Sequence, residues 1–277
     1  MRRWRYLAPM MVTVAAIGLA ISALGPGYPE GSRARGDDFL IESKIYRGKK
    51  KQPISENTTY FAGGVVYDFL DNPTEVTIFD PARKRLVLLE PSLGLKVEIS
   101  TDELIEANRR MQDLARKQPS SLVQFAAVPK FDVDSSVEDG RLTLSSKWLT
   151  YRAQSKEAKT ARAAAQYRAF ADWYSRLNSL RPAALPPFAR LELNRRLAQR
   201  NWIPTRVDLT VRLKNSPLTS STTKLHSEHR TVWRLVEQDR RRIEKAGRYL
   251  ASFKQVSLET YRRKTQATAN RPASVKR

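Results

Sequence analysis

The sequence contains no cysteine and only two histidines, and these shortages exclude several classes of protein. A chain without cysteine has no disulfide framework, no iron–sulfur cluster, no thiolate zinc site and no thiol nucleophile. His226 and His229 are three residues apart in a predicted strand, so they lie on opposite faces and share no metal ion. The sequence also lacks the Gly-x-Ser-x-Gly, P-loop and dinucleotide-binding motifs. We therefore predict a protein without catalytic residues, metal or cofactor.

Acidic residues are scarce in the second half of the chain. Fifty lysine and arginine residues accompany 28 acidic residues, which gives a formal net charge of +22 over 277 residues. Residues 1–140 hold 19 basic and 19 acidic residues, whereas residues 141–277 hold 31 basic and 9 acidic residues. This asymmetry predicts an anionic partner for the second half.

The N-terminal segment has the order of an export signal. Three arginines among the first five residues precede an uncharged run of 19 residues, Leu7–Gly25, and prolines and glycines follow. As a helix this run would span about 28 Å at ~1.5 Å per residue, close to the ~30 Å bilayer core. We predict that residues 1–25 are a signal peptide or a membrane anchor and that residues 26–38 are a linker. Both alternatives place the rest of the chain on the periplasmic side of the inner membrane.

The segment after the linker predicts an antiparallel sheet. Short apolar segments recur about every ten residues between turn residues, a spacing that favours a meander. Strands are predicted at Phe39–Arg47, Thr58–Ala62, Val65–Leu70, Glu75–Asp80, Arg85–Leu89 and Leu95–Ser100. In Val76–Phe79 and Leu86–Leu89 nearly every residue is apolar, so both faces of these strands need cover. The fold class predicted is α+β, with a curled, half-barrel-like antiparallel sheet packed with helices and an N-terminal hydrophobic helix.

The rest of the chain predicts helices, one long strand and one long hairpin. Ser100 and Glu103 have capping-box spacing at the start of the first helix. The helices are predicted at Ser100–Lys117, 156–180, Ala189–Arg200 and Gln238–Phe253, the long strand at Arg141–Arg152, and the hairpin strands at 206–214 and Thr222–Val236. We predict one domain over residues 39–261, with a sheet-rich half (39–154) and a basic half (155–261), followed by a disordered basic tail over residues 262–277.

The basic residues of the second half fall on the polar faces of the hairpin and of the last helix. In the hairpin they alternate with apolar residues, so they share one face of the strands. The predicted contacts with an anionic surface are Arg206, Arg212, Lys214, Lys224, Arg230, Arg234, Arg241, Lys245 and Arg248. For an exported chain, an anionic membrane surface or an envelope polymer is the expected partner, and nucleic acid is not.

Three segments carry a resemblance to a known family. The stretches Phe61–Phe69, Val76–Asp80 and Leu86–Pro91 resemble the sheet core of the periplasmic outer-membrane lipoprotein carriers, the LolA/LolB-like superfamily. The resemblance covers about residues 39–154. In that family an antiparallel sheet forms a half-barrel closed by helices, and its apolar hollow holds acyl chains. The resemblance therefore implies the same type of sheet and a hydrophobic ligand.

Two functions follow as hypotheses. In the first, an exported, non-catalytic envelope protein binds a lipid or the acyl chain of a lipoprotein in a hollow of the sheet. That hollow is predicted to be lined by Phe61, Val65, Tyr67, Val76, Ile78, Leu86 and Leu88. In the second, the chain is an envelope scaffold or interaction protein with a filled core and no ligand, and the helix at residues 156–180 covers the sheet instead.

Overall fold

The computed structural model describes residues 38–72, 74–182, 184–214 and 220–269. The predicted leader, and with it the N-terminal hydrophobic helix, lies outside the described residues. The helices are α1 Thr101–Arg116, α2 Ser121–Ala127, α3 Ala161–Ser179, α4 Phe188–Ala198, α5 Glu237–Ser252 and α6 Leu258–Ala269. None of these described helices has both the length and the apolar content that a membrane span requires.

The described chain is α+β, with an open, curled and mostly antiparallel sheet, as predicted. Its strands are β1 Phe39–Arg47, β2 Ser55–Ala62, β3 Val65–Leu70, β4 Glu75–Asp80, β5 Arg85–Glu90, β6 Leu95–Ser100, β7 Asp132–Ser136, β8 Arg141–Ser145, β9 Leu149–Glu157, β10 Trp202–Lys214, β11 Ser220–Val232 and β12 Lys254–Gln255. The 12 strands lie in the order β12-β6-β5-β4-β3-β2-β1-β11-β10-β9-β8-β7. Strand β12 pairs with β6 in parallel.

The contacts divide the described chain into two compact units. The hairpin unit contains the described residues within 44–54 and 104–229, and the meander unit contains those within 38–43, 55–103 and 230–269. These units are not the two sequential halves of the sequence analysis, because each is assembled from separate stretches of the chain.

In the meander unit both faces of β4 and β5 are buried, which confirms the prediction from their apolar runs. The register places Ile78 opposite Val87 on one face and Phe79 opposite Leu86 on the other. All four side chains are at most 2% exposed. The Ile78 face packs against α5, which contributes Ala246 among other apolar residues. The helix predicted at residues 156–180 was one alternative cover for the sheet, and this alternative is wrong for the Ile78 face, where α5 is the covering helix.

In the hairpin unit α3 and α4 pack against one another and contact β10. Alternate residues of β10, such as Val207 and Leu209, are buried in a core with Tyr151 on β9 and Leu193 on α4. The helix at residues 156–180 is thus present as the shorter α3, whose first turn is capped by the Thr160 hydroxyl accepting from the Ala163 N–H at 3.1 Å.

Two further predictions need correction. The strand predicted at Arg141–Arg152 is two strands, because the Ser146 hydroxyl accepts the N–H groups of Trp148 and Leu149 at 3.2 and 3.0 Å and turns the chain. The tail is helical as far as Ala269, so the prediction of disorder is wrong for residues 262–269. The Ser257 hydroxyl accepts the Thr260 N–H at the start of α6, and Tyr261 is buried. Residues 270–277 lie outside the described residues.

Burial on both faces of β5 predicts a symmetrical response to truncation. Leu86 and Leu89 lie on opposite faces and are each 0% exposed. We expect Leu86→Ala and Leu89→Ala each to lower the free energy of unfolding by about 2–5 kcal/mol, measured by urea denaturation. The control is Leu93→Ala, because Leu93 lies in the β5–β6 turn and is 37% exposed, and it should change stability by less than about 1 kcal/mol. A neutral effect of either buried variant would contradict two-sided burial.

Candidate functional site

The seven residues predicted to line a hollow lie on two opposite faces of the meander unit. Side chains alternate along a strand, so the register assigns each residue to a face. The structure brings together Val65, Tyr67, Val76 and Ile78 on the face that α5 covers. It places Phe61, Leu86 and Leu88 on the opposite face, where all three are buried. The seven side chains therefore do not line a single surface.

The face beneath α5 is occupied by side chains of the chain itself. Apolar residues of α5, including Ile243 and Leu250, pack onto the strands. The Arg242 guanidinium lies 4.9 Å from the centre of the Phe69 ring and donates to the Tyr60 hydroxyl at 3.2 Å. Burial raises the pKa of Tyr60, and the positive charge of Arg242 opposes that rise. Aromatic, aliphatic and cationic groups thus fill this face together.

The predicted basic contacts are divided between the two units. Arg206, Arg212 and Lys224 lie in the hairpin unit, whereas Arg230, Arg234, Arg241, Lys245 and Arg248 lie in the meander unit. The side chain of Lys214 lies outside the described residues. Several of these cations are already paired. Arg206 contacts Asp208 and Glu228 at 2.9 and 3.0 Å, and Arg230 donates to Glu42 at 2.7 Å.

One face of the hairpin unit's sheet, here called the outer face, carries the basic residues of β10 and β11. The register places Lys224 opposite Thr210, and His226 opposite Asp208. The Arg212 guanidinium donates to the Thr150 hydroxyl at 3.1 Å, which fixes it across β9. The Tyr46 ring stacks on His226 with 4.7 Å between ring centres. The outer face is therefore polar and cationic, whereas the opposite face is the apolar core.

Sequence reasoning missed several cations near this face. Arg152 on β9 lies opposite Asp208 and is exposed. Lys49, Lys50 and Lys51 form the exposed turn after β1, in the half of the chain that is neutral overall. The net charge of that half is zero, so the half as a whole gave no indication of a basic site. The run of three consecutive lysines was the signal that could have indicated one. The pairing of β1 residues with β11 could not be read from the sequence.

The two histidines lie on opposite faces of β11, as predicted. His226 shares the outer face with Lys224. His229 is two residues after Ser227 and therefore lies on the same face as Ser227, which faces the core opposite Val207. Across the described residues, no group of three or more histidine, aspartate or glutamate side chains is placed to hold a metal ion.

A buried polar cluster links α3 and α4 in the hairpin unit. Arg190 is only 7% exposed, and its Nε donates to the Asn194 Oδ1 at 3.0 Å. The Asn194 Nδ2 in turn donates to the Asp172 Oδ1 at 2.8 Å. Burial raises the pKa of Asp172, and burial raises the pKa of Tyr167 to about 12 although Arg190 opposes this. A neutral amide therefore joins the buried Arg190 to the partly buried Asp172.

His229 adjoins the same cluster and is neutral in the folded protein. Burial, assisted by the positive charge of Arg190, lowers the pKa of His229 to about 3. The Ser227 hydroxyl, on a fully buried residue, lies 2.9 Å from the His229 Nε2 and supplies its hydrogen-bond partner. This environment supports a structural imidazole, because a base that is protonated only near pH 3 is a weak proton acceptor at neutral pH.

The low pKa of His229 predicts acid sensitivity. The unfolded imidazole titrates near pH 6.5 and the folded one near 3, so the unfolded state binds more protons between these values and stability falls as the pH drops. We expect His229→Gln to remove about 2 kcal/mol of the stability difference between pH 7 and pH 4.5, measured by urea unfolding.

Asp172 acts in the opposite direction, because its raised pKa favours proton uptake by the folded state as the pH falls. Asp172 is present in both the wild type and His229→Gln, so its contribution to the pH dependence of stability cancels when the two are compared. His226→Gln, on the outer face of the same strand, is the matched control, and it should keep the pH dependence that His229 contributes. An unchanged pH dependence in His229→Gln would contradict the assignment.

An apolar groove of about 620 Å³ lies in the hairpin unit. Ala107, Met111 and Leu114 on α1 form one side, and residues after α3, including Leu180 and Ala184, form another. Leu114 is 64% exposed, an unusual position for a large apolar side chain. Arg110 also lines the groove and pairs with Glu106 at 3.0 Å. The groove thus has apolar walls and a charged rim.

No protein-family model matches this chain, and no curated protein matches it. The likeness to the lipoprotein carriers therefore stays a prediction from strand patterns. A shared fold would not by itself decide a function, because one fold supports many activities.

Proposed function

We propose that this chain is an exported, non-catalytic envelope protein that docks through its basic face on an anionic membrane surface, while its own side chains fill its core. The observation that carries the proposal is the outer face of the hairpin unit. There Arg152, Arg212 and Lys224 are exposed on neighbouring strands, whereas the opposite face of the same strands is buried. An open, cationic sheet face suits a broad anionic surface better than a small ligand.

The electrostatic gain from such docking is substantial. A basic residue beside an anionic leaflet contributes about 1 kcal/mol, and the contribution falls off within a Debye length. Three or four cations in contact would therefore contribute about 3–4 kcal/mol, which corresponds to a Kd of about 1 mM for the cations alone, and a leader that holds the chain at the membrane would tighten the binding further. Paired cations such as Arg206 contribute less, because Asp208 and Glu228 already neutralise them.

In this proposal the curled sheet is a half-barrel-like support. Residues 1–25 either remain as a hydrophobic anchor helix or are removed as a signal peptide, and both place the basic face on the periplasmic side. An anionic envelope polymer would offer similar charge. We favour the membrane because an apolar leader brings an exported chain to the inner membrane during its translocation.

Vesicle co-sedimentation of residues 38–277 tests the proposal without the leader. We expect binding to phosphatidylcholine vesicles containing 30% phosphatidylglycerol and little binding to pure phosphatidylcholine. Raising the salt from 0.1 to 1 M shortens the screening length from about 10 to about 3 Å and should release the protein. Equal binding to neutral and anionic vesicles would contradict an electrostatic contact.

A hydrophobic ligand, either a lipid or the acyl chain of a lipoprotein, is the second candidate function. The observation that favours it is the groove of the hairpin unit, because its volume of about 620 Å³ lies within the usual range of ligand sites, ~300–1,000 Å³. The seven sheet residues named in the sequence analysis are a less favourable lining, because they lie on two faces and α5 packs on one of them.

Native mass spectrometry after incubation with oleate tests this candidate. We expect an adduct of one fatty-acid mass in the wild type and its loss in Ala107→Trp, because the indole would fill the groove. Ala251→Trp, on the exposed surface of α5, is the matched control and should retain the adduct. A wild-type protein that stays free of adduct would leave docking as the sole function proposed.

A further inference from the structure

The turn between β1 and β2 carries three consecutive lysines next to β11. Lys49, Lys50 and Lys51 are all exposed. The Gly48 N–H donates to the Lys224 carbonyl at 2.9 Å, and Gly48 has φ +60°, a conformation that favours glycine. On the far side of the turn the Ile54 N–H donates to the Ile45 carbonyl at 2.7 Å. The backbone thus anchors the three lysines beside the cationic residue of β11.

The charge at this place is not neutralised. The segment Lys44–Ile54 contains no acidic residue. Within the described chain, Lys49, Lys50, Lys51 and Lys224 form no ion pair. The hairpin's outer-face acids, Asp208 and Glu228, both contact Arg206. Glu228 lies four residues from Lys224 along β11, about 13 Å at ~3.3 Å per residue, which exceeds the Debye length of about 8 Å at physiological salt.

The basic face of α5 differs in this respect. Its exposed cations include Arg241, Lys245 and Arg248, but Glu237 and Glu244 are interspersed among them. Arg241 contacts Glu237 at 3.2 Å. The two basic surfaces therefore have similar numbers of cations, and only the β1–β2 turn presents them without counter-charges.

From this contrast we infer that Lys49, Lys50, Lys51 and Lys224 form the primary docking site and bind the phosphate groups of anionic phospholipids. This inference rests on the proposed function and assigns it to one place in the hairpin unit. Lysine ammonium groups bind phosphate as compact point charges with three donors each, and flexible stems let them follow mobile headgroups.

The chemistry of the site favours a membrane over nucleic acid. The planar arginine fork is the better group for fixing one base edge in a defined geometry, whereas the four lysines of the site act as point charges. Single-stranded nucleic acid needs aromatic rings for base stacking. The ring nearest in sequence, Tyr46, already stacks on His226 at a ring-centre distance of 4.7 Å.

A charge-matched pair of variants of residues 38–277 tests the site. One variant is Lys49→Gln/Lys50→Gln/Lys51→Gln, and its control is Arg241→Gln/Lys245→Gln/Arg248→Gln on α5. Each loses three positive charges from exposed positions, so both should fold, as checked by circular dichroism and thermal melting. With vesicles containing 30% phosphatidylglycerol at 0.1 M salt, we expect the turn variant to lose affinity about a hundredfold and the control less than about threefold. Lys224→Gln alone should lose up to about fivefold.

The outcomes separate the two levels of the proposal. If the wild type fails to bind anionic vesicles, the proposed function fails. If the wild type binds and both triple variants lose affinity equally, docking stands and the site is overturned. Vesicle binding should be equal in chloride and in phosphate buffer of the same ionic strength. If vesicle binding is lost only in phosphate buffer, the lysines of the turn bind free phosphate ions, and the assignment to phospholipids is overturned. Tighter binding to poly(U) RNA than to vesicles would also overturn the inference.

Discussion

The meander unit depends on covering both faces of β4 and β5. Val76, Ile78, Val87 and Leu89 lie on one face, and each is at most 2% exposed. Burying four such side chains contributes about 6–12 kcal/mol, which is comparable to the whole net stability of a typical domain. The Ile78 face could therefore not stay open to water. Helix α5 covers it with Ala246 and apolar neighbours, and Arg242 packs over the Phe69 ring, whereas Arg241, Lys245 and Arg248 are exposed.

The same alternation of side chains produces the basic face of the hairpin unit. Every second residue of β10 enters the core that α4 and β9 share, so the intervening residues must point the other way. The chain uses those outward positions for arginine, lysine, threonine and a few acids. The two acids, Asp208 and Glu228, both pair with Arg206, so they do not offset the positive charge of the other basic residues on this face. The cationic outer face is thus a consequence of how the core is built, and the lysines of the β1–β2 turn add to its charge.

The polar cluster between α3 and α4 of the hairpin unit has a different role. Arg190 and Asp172 are connected through the Asn194 amide, which gives each charge a polar contact in a low-dielectric interior. The raised pKa of Asp172 and the lowered pKa of His229 both have burial as their main cause. A cluster of this type contributes little net stability, but leaving one member unpaired is costly, so it restricts how α3 and α4 can pack.

The amino-acid sequence by itself determined the strands from β1 to β6, the two-sided burial of β4 and β5, the capping box at Ser100 and Glu103, and the opposite faces of His226 and His229. These features follow from period-two alternation, turn residues and capping spacing, which are local properties of the chain. Only the tertiary structure decided that α5 covers β4 and β5, that Asp172 and Arg190 are joined through Asn194, and that Lys49–Lys51 lie beside Lys224. Each of these depends on contacts between residues far apart in sequence, and many long-range pairings satisfy the same local pattern equally well.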